Sequence, residues 1–267
     1  MNRFDAAIQN CKNPPLLGST VHRYNPDFVE IVGLLGFQLL WIEREHGLMS
    51  FAQAADLCRI AAAMGLVTML RVCEASRDNV LKAAECGPDI LDLPMVRSPQ
   101  NVTELVRHSR YPPLGERGFF SSSRAVRYGL WGINAELHQR VNSELTLVAQ
   151  VENRQAVENV EQICCVPGLD GIFIGLGDLS TSFGVPGETR HPDVQRAVER
   201  TLAAAKSHGK RILIPCAPQE VATWAARGAC ATFCVSDTAC LAGGARQALE
   251  TARGAIAGGE GSSGERS

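Results

Sequence analysis

The chain has 267 residues, with 26 Lys and Arg against 28 Asp and Glu and a formal net charge of −2. This balance gives no broad basic field for a nucleic-acid partner, and 45% hydrophobic with 20% charged residues is ordinary globular usage. The most apolar window, Ile31–Ile42, is interrupted by Gln38 and is too short to span a bilayer. No basic, apolar and small-residue run opens the chain as a signal peptide would, so a cytoplasmic protein is expected. Ten cysteines occur without a CxxC pair. Cys164, Cys165, Cys230, Cys234 and Cys240 offer a zinc cluster, but their apolar neighbours favour buried thiols in a reducing compartment.

Taken in order, Met1–Pro15 reads as an approach segment with a short helix. Leu16–Val21 is the first strand, and a helix follows from Pro26 to Leu35, capped by Asn25. Phe37–Ile42 is the second strand, running into Glu43-Arg44-Glu45-His46. Ser50 and Gln53 form a capping box for a helix reaching Met64. Leu66–Leu70 is strand three and ends at Arg71. A helix over Ser76–Cys86 precedes strand four, Asp89–Leu93, and Ser98-Pro99 opens the next helix. Tyr111–Asn142 breaks the rhythm, reading as a long insertion, helical near Ile133–Val141, that could overhang a site.

Leu145–Val151 is strand five, followed by a helix carrying Ala156, Val157, Val160 and Ile163. Gly171–Ile174 is strand six, opening into a glycine-rich loop, Gly175-Leu176-Gly177-Asp178. A helix from Pro192 stops at Gly209, Arg211–Ile214 is strand seven, Glu220–Arg227 a helix, and Ala229–Val235 strand eight. Leu241–Ile256 is a last helix, and the sequence from Gly258 to Ser267 reads as a disordered tail. Eight strands alternating with helices predict a single (β/α)8 barrel over 1–257. An open doubly wound sheet is the rival, but neither GxGxxG nor GxxxxGK[ST] is present.

The polar residues His46, Arg71, Gln150, Glu152 and Asp178 fall at or just past the C-terminal ends of strands, which a barrel gathers into one mouth. Gln150 and Glu152, two apart, share a face. Glu152 and Asp178 offer oxygen ligands suited to Mg²⁺ or Mn²⁺, with Co²⁺ a further candidate. Alternatively, Glu152 is an acid at a helix start and Asp178 caps a turn. The backbone at Gly175–Gly177 is open to a carboxylate or phosphate. Arg71 offers a planar fork for an oxyanion or keto acid, or a rim salt bridge. His46 is the one histidine that follows a predicted strand beside an acid, which makes it either the proton carrier or a solvated loop residue. Glu85 is a candidate to orient it. The other histidines, His22 included, have no such placement.

Several ordered stretches carry a resemblance: Glu43-Arg44-Glu45-His46, Arg71-Val72, Leu93-Pro94-Met95-Val96, Tyr111–Gly118, Gln150-Val151-Glu152-Asn153 and Gly171–Ser180. From about Leu17 to Ala252 the chain resembles the HpcH/HpaI family of metal-dependent class II pyruvate aldolases, related to 2-keto-3-deoxy-acid aldolases and the citrate lyase beta subunit. The resemblance implies that Glu152 and Asp178 bind the metal, which the substrate's keto and carboxylate oxygens chelate. It implies that the backbone around Gly175, Leu176, Gly177 and Asp178 receives the carboxylate, with Gln150 near metal-bound waters. Arg71 would steady the enolate, and His46 would move the proton with help from Glu85. It further implies a trimer of dimers in which Leu241–Ile256 packs on a neighbour.

Five residues in three stretches depart from that family's pattern. Glu43 and Arg44 stand where Asp-Gly is usual, Glu85 replaces an Asp, and Leu176-Gly177 replaces Pro-Ala. The expected reaction is cleavage or formation of a 4-hydroxy-2-oxo acid from pyruvate, or an oxaloacetate-like keto acid, and an aldehyde. No lysine is placed for a Schiff base. The alternatives are a citrate-synthase-like or CoA-ester lyase using the same enolate chemistry, and a keto-acid-binding protein without activity.

Overall fold

Alternation along eight short apolar runs produces the architecture. The computed structural model describes residues 1–260. The strands are β1 (Leu16–Val21), β2 (Leu39–Ile42), β3 (Val67–Arg71), β4 (Ile90–Leu93), β5 (Thr146–Val151), β6 (Gly171–Ile174), β7 (Arg211–Pro215) and β8 (Ala231–Ser236). All pair in parallel in chain order and β8 closes on β1, so the sheet is a barrel and the open-sheet rival is excluded.

The surrounding helices are α1 (Arg3–Asn10), α2 (Pro26–Leu34), α3 (Phe51–Ala63), α4 (Arg77–Glu85), α5 (Pro99–Ser109), α6 (Ala135–Glu144), α7 (Arg154–Glu158), α8 (Val160–Cys165), α9 (Leu176–Ser182), α10 (Pro192–Ser207), α11 (Val221–Ala226) and α12 (Asp237–Glu260). Local chemistry sets several starts. The Asn25 side chain accepts the Phe28 N–H with Pro26 in the first turn, and the Ser50–Gln53 box is formed.

Apolar residues fill two layers. Those facing outward on the strands pack under the helices with Leu57, Val102, Ile163 and Val198. Those facing inward form a plug of Trp41, Met69, Ile90, Val148, Phe173, Leu213 and Phe233, sealed by Phe4 of α1. The Trp41 ring lies 4.8 Å from Phe173 and 5.5 Å from Phe233. Since strand side chains alternate, the residue two further along each strand faces the same interior. Trp41 is followed by Glu43, Met69 by Arg71, Ile90 by Asp92, and Val148 by Gln150 and then Glu152. An aromatic floor thus carries a polar layer at the C-terminal end of the strands.

Boundaries shift by a residue or two from those predicted, and Arg71 lies within β3 rather than past it. The region predicted as one helix after β5 is two, α7 and α8, broken at Asn159. The Tyr111–Asn142 insertion has its own small core of Tyr111, Val126, Leu137 and Val141. It is anchored on the outside of the barrel: Arg124 reaches the Cys58 carbonyl and Arg117 pairs with Glu85 of α4. Glycine 175 opens the short helix α9, so Leu176, Gly177 and Asp178 occupy a helical first turn instead of a loop.

The last helix starts four residues earlier than predicted and continues through Gly258–Glu260, the first residues of the predicted tail; residues 261–267 lie outside the described residues. Its side chains from Thr238 to Ile256 are exposed. No helix among the described residues is long and apolar enough to cross a membrane. Of the ten cysteines, Cys58, Cys86 and Cys164 are buried, whereas Cys73, Cys165 and Cys240 are exposed, so the expectation of uniformly buried thiols does not hold.

Candidate active site

The polar layer is organised by one guanidinium. Arg71 is almost fully buried; its Nη1 donates to Glu43 Oε2 at 2.7 Å, and its Nη2 pairs with Glu45 Oε2 at 2.5 Å. The same Nη2 lies 3.6 Å from Glu152 Oε2. Glu43 turns its other oxygen to the chain after β2, accepting the N–H groups of Glu45 at 2.6 Å and His46 at 3.1 Å. One carboxylate therefore fixes both the guanidinium and the loop that carries His46.

Glu152, 1% exposed, accepts the Met95 N–H through Oε1 at 2.5 Å. Met95 takes a φ of 50°, in the left-handed region that a side chain rarely adopts, and so aims its N–H at this acid. A Cβ at position 175 would come within 2.6 Å of Glu152 Oε2, so only glycine lets β6 pass this close. Beneath them, Gln150 Nε2 donates to Asp92 Oδ2.

The charges respond to this crowding. Burial raises the Glu152 carboxyl to about 7, against the opposing pull of the Met95 N–H and Arg71, while Asp178 and Glu45 push it further up. Burial also raises Glu45, again opposed by Arg71. Asp92 is driven well above the carboxylate range, chiefly by complete burial. For Arg71, burial alone would weaken the charge, but Glu43, Asp92 and Glu152 reverse this and hold the guanidinium more firmly protonated than usual.

Among the described residues, no group of three or more His, Cys, Asp or Glu is arranged to hold a metal ion. Two acids nonetheless fit a hard cation that completes its shell with substrate and water. Glu152 is a buried carboxyl whose charge is under-compensated, since its Oε2 has only a distant contact to Arg71. Asp178 is exposed in the first turn of α9, close enough to act electrostatically on Glu152 and Glu45. The N–H groups of Leu176, Gly177 and Asp178 have no intrahelical partner there.

The structure thus brings Arg71, Gln150, Glu152, Gly175, Leu176, Gly177 and Asp178 to one mouth. It does not join Glu85 to His46. Glu85 ends α4, and its Oε1 takes a hydrogen bond of 2.8 Å from Arg117 Nη2, because α4 runs down the outside of the barrel and its last turn lies far from the strand ends. His46 is 70% exposed at the side chain, with Nε2 3.8 Å from Glu45 Oε2. Arg44 turns aside to lie over the Phe51 ring, 3.6 Å from its centroid, with Nε on the Met49 carbonyl. Asp92 escaped sequence reasoning; its signal was an acid two residues after Ile90 in an otherwise apolar run.

A parallel eight-stranded barrel with acids and a fixed guanidinium at its C-terminal mouth has the arrangement in which barrel enzymes carry their active sites. Its family follows from comparison: a model described as HpcH/HpaI aldolase/citrate lyase matches residues 21–233, and the chain belongs to that family. It is 34% identical over 202 residues to a 2-keto-3-deoxy-L-rhamnonate aldolase of Klebsiella pneumoniae, with 74% of each chain covered. It is 33% identical over 208 residues to a hydroxypyruvate/pyruvate aldolase of Sagittula stellata, covering 78% of this chain and 80% of that one. The crystal structure of an HpcH/HpaI aldolase from Desulfitobacterium hafniense superposes with a TM-score of 0.83 at 30% identity, covering 90% of this chain and 93% of the other. The chain is an enzyme of the aldolase/lyase type.

The raised Glu152 carboxyl has a consequence for stability. The unfolded acid releases its proton near 4.5 and the folded one near 7, so the native state holds more protons in that window and stability falls as pH rises through it. In metal-free protein, denaturant unfolding between pH 4.5 and 7 is expected to show this fall, with Glu152→Gln making it shallower. An equal slope in both proteins would contradict the assignment.

Proposed function

We propose that the chain is a metal-dependent class II aldolase that cleaves or forms 4-hydroxy-2-oxo acids, releasing or using pyruvate and an aldehyde. The observation that carries this reading is the pairing of buried Glu152 and exposed Asp178 beside a guanidinium already fixed by Glu43. The aldolase activities named for two relatives support it. Glu152 and Asp178 would hold Mg²⁺ or Mn²⁺, which supplies Lewis-acid stabilisation of developing negative charge.

The chain's own residues supply the rest. The α9 first-turn N–H groups receive the substrate carboxylate. Arg71 donates to the keto oxygen, where charge accumulates as the C3–C4 bond breaks and its electron pair remains with the pyruvate fragment. Being held by Glu43 and Glu45, Arg71 needs little reorganisation in that step. His46 accepts the 4-hydroxyl proton as the aldehyde forms, and C3 is then protonated to give pyruvate. Gln150, tied to Asp92 through its NH₂ group, keeps its carbonyl oxygen for a polar group in the mouth.

Pyruvate release from a panel of 4-hydroxy-2-oxo acids, assayed with and without EDTA, tests this reading. Chelation is expected to stop turnover; undiminished release without metal would refute the metal-dependent route. His46→Ala is expected to lower cleavage by roughly 10²–10⁴-fold with metal binding retained. Glu152→Ala is expected to lose both.

Oligomerisation belongs to the same proposal. The exposed α12 carries Leu241, Leu249 and Ile256 at 67%, 50% and 67% exposure, apolar side chains that packing on a second copy would cover. A dimer-based hexamer is expected by light scattering, with truncation after Ser236 reducing the mass. A stable monomer at micromolar concentration would contradict it.

A further inference from the structure

A second polar site lies at the end of the barrel opposite the mouth. A cavity of about 60 Å³ is enclosed between the start of β4, the start of β5 and the Tyr111–Asn142 insertion. Gly87 and Asp89 line it just before β4, and Leu145 lines it just before β5. The length of β5 therefore separates this cavity from Glu152.

Three guanidinium side chains of the insertion line the cavity: Arg117, Arg124 and Arg127. Arg117 is 5% exposed. Its Nη2 donates to Glu85, its Cζ lies 4.8 Å from the Tyr111 ring centroid, and its Nε–H is buried without an acceptor. Arg124 rests its stem on Gly87, where a Cβ would come within 3.1 Å of the arginine Cγ. It reaches the Cys58 carbonyl at 3.4 Å, and its Nε–H is likewise buried without an acceptor. Arg127 stands at the exposed rim, its Cζ 5.0 Å from the Trp131 ring centroid.

Two carboxylates also line the cavity, and both are engaged elsewhere. Asp89 takes hydrogen bonds from Arg3 at 3.1 Å and from the Thr68 N–H at 2.8 Å. Glu144 takes one from Arg140 at 2.8 Å. Among the described residues, Glu85 is then the single acid paired with these three cations.

Like charges gathered in a partly enclosed space are costly unless an anion joins them. A cavity of this size holds roughly four waters, which is the space of a tetrahedral oxyanion. Guanidinium forks match such oxygens with paired, charge-assisted hydrogen bonds. We propose that this cavity binds a free tetrahedral oxyanion of the phosphate class, held by Arg117 and Arg124 with Arg127 at the rim. The bound ion ties the insertion to the barrel wall at Gly87. This site is independent of the aldolase reading.

Calorimetric titration of the full chain with inorganic phosphate tests the proposal. One phosphate site is expected to be weakened about tenfold or more in Arg124→Gln, the worth of a charge-assisted hydrogen bond. Arg127→Glu reverses a charge at the exposed rim without touching the packing, and is expected to weaken the same site by about tenfold. It decides the matter should Arg124→Gln fail to fold. No binding of millimolar phosphate by the unaltered protein, or unchanged binding in Arg127→Glu, overturns the proposal. Binding in the mouth alone would leave both variants unchanged and overturn it equally. Sulfate is expected to compete and glycerol 2-phosphate to compete poorly. Equal competition by that ester overturns the assignment to a free ion.

Discussion

The Arg71 guanidinium, held inside the barrel by Glu43, Glu45 and Glu152, is the constraint on which the rest of the site depends. Removing ions from water costs several kcal/mol each, recovered only when partners and geometry are good. Here a single cation serves three carboxylates, and Asp92 and Asp178 add further acid without adding a positive charge. The layer is therefore deficient in cations as folded. Burial, with Asp178 and Glu45 adding to it, is why Glu152 holds its proton toward neutrality, and the shortage of cations leaves a place that the proposed divalent cation would fill.

The aromatic floor makes this arrangement possible. Trp41, Phe173 and Phe233 fill the barrel below the polar layer, which keeps water from reaching the acids from the far end. The Trp41 ring also lies beneath the guanidinium, 5.6 Å from centroid to Cζ, a contact favourable to a desolvated cation. Substrate therefore enters from the mouth alone and meets donors whose positions are set before it arrives.

Much of this was legible in the sequence because period-two alternation carries directly into a parallel barrel. All eight strands were readable, and the position of Arg71, Gln150 and Glu152 near strand ends placed them in one mouth. What escaped notice depended on partners distant in sequence. Asp92 sits in Ile90-Leu91-Asp92-Leu93, where a single acid in an apolar run gives no hint that Gln150, 58 residues on, is its partner. The His22–Asp237 pair spans 215 residues and arises only because the barrel closes β8 on β1. Within the chain Glu85 pairs with Arg117, because helix length and direction, not spacing, decide where its carboxylate goes. Arg44 likewise found an aromatic face beside it, an option that charge alone does not reveal.

The central claim is that the under-compensated acids of this mouth hold a divalent cation next to a 2-oxo acid. A crystal of the protein soaked with Mn²⁺ and pyruvate tests it most directly through anomalous scattering. The account predicts one strong manganese peak in contact with the Glu152 and Asp178 carboxylates, with the pyruvate keto oxygen facing Arg71. A peak at other residues, or pyruvate bound away from Arg71, would contradict it.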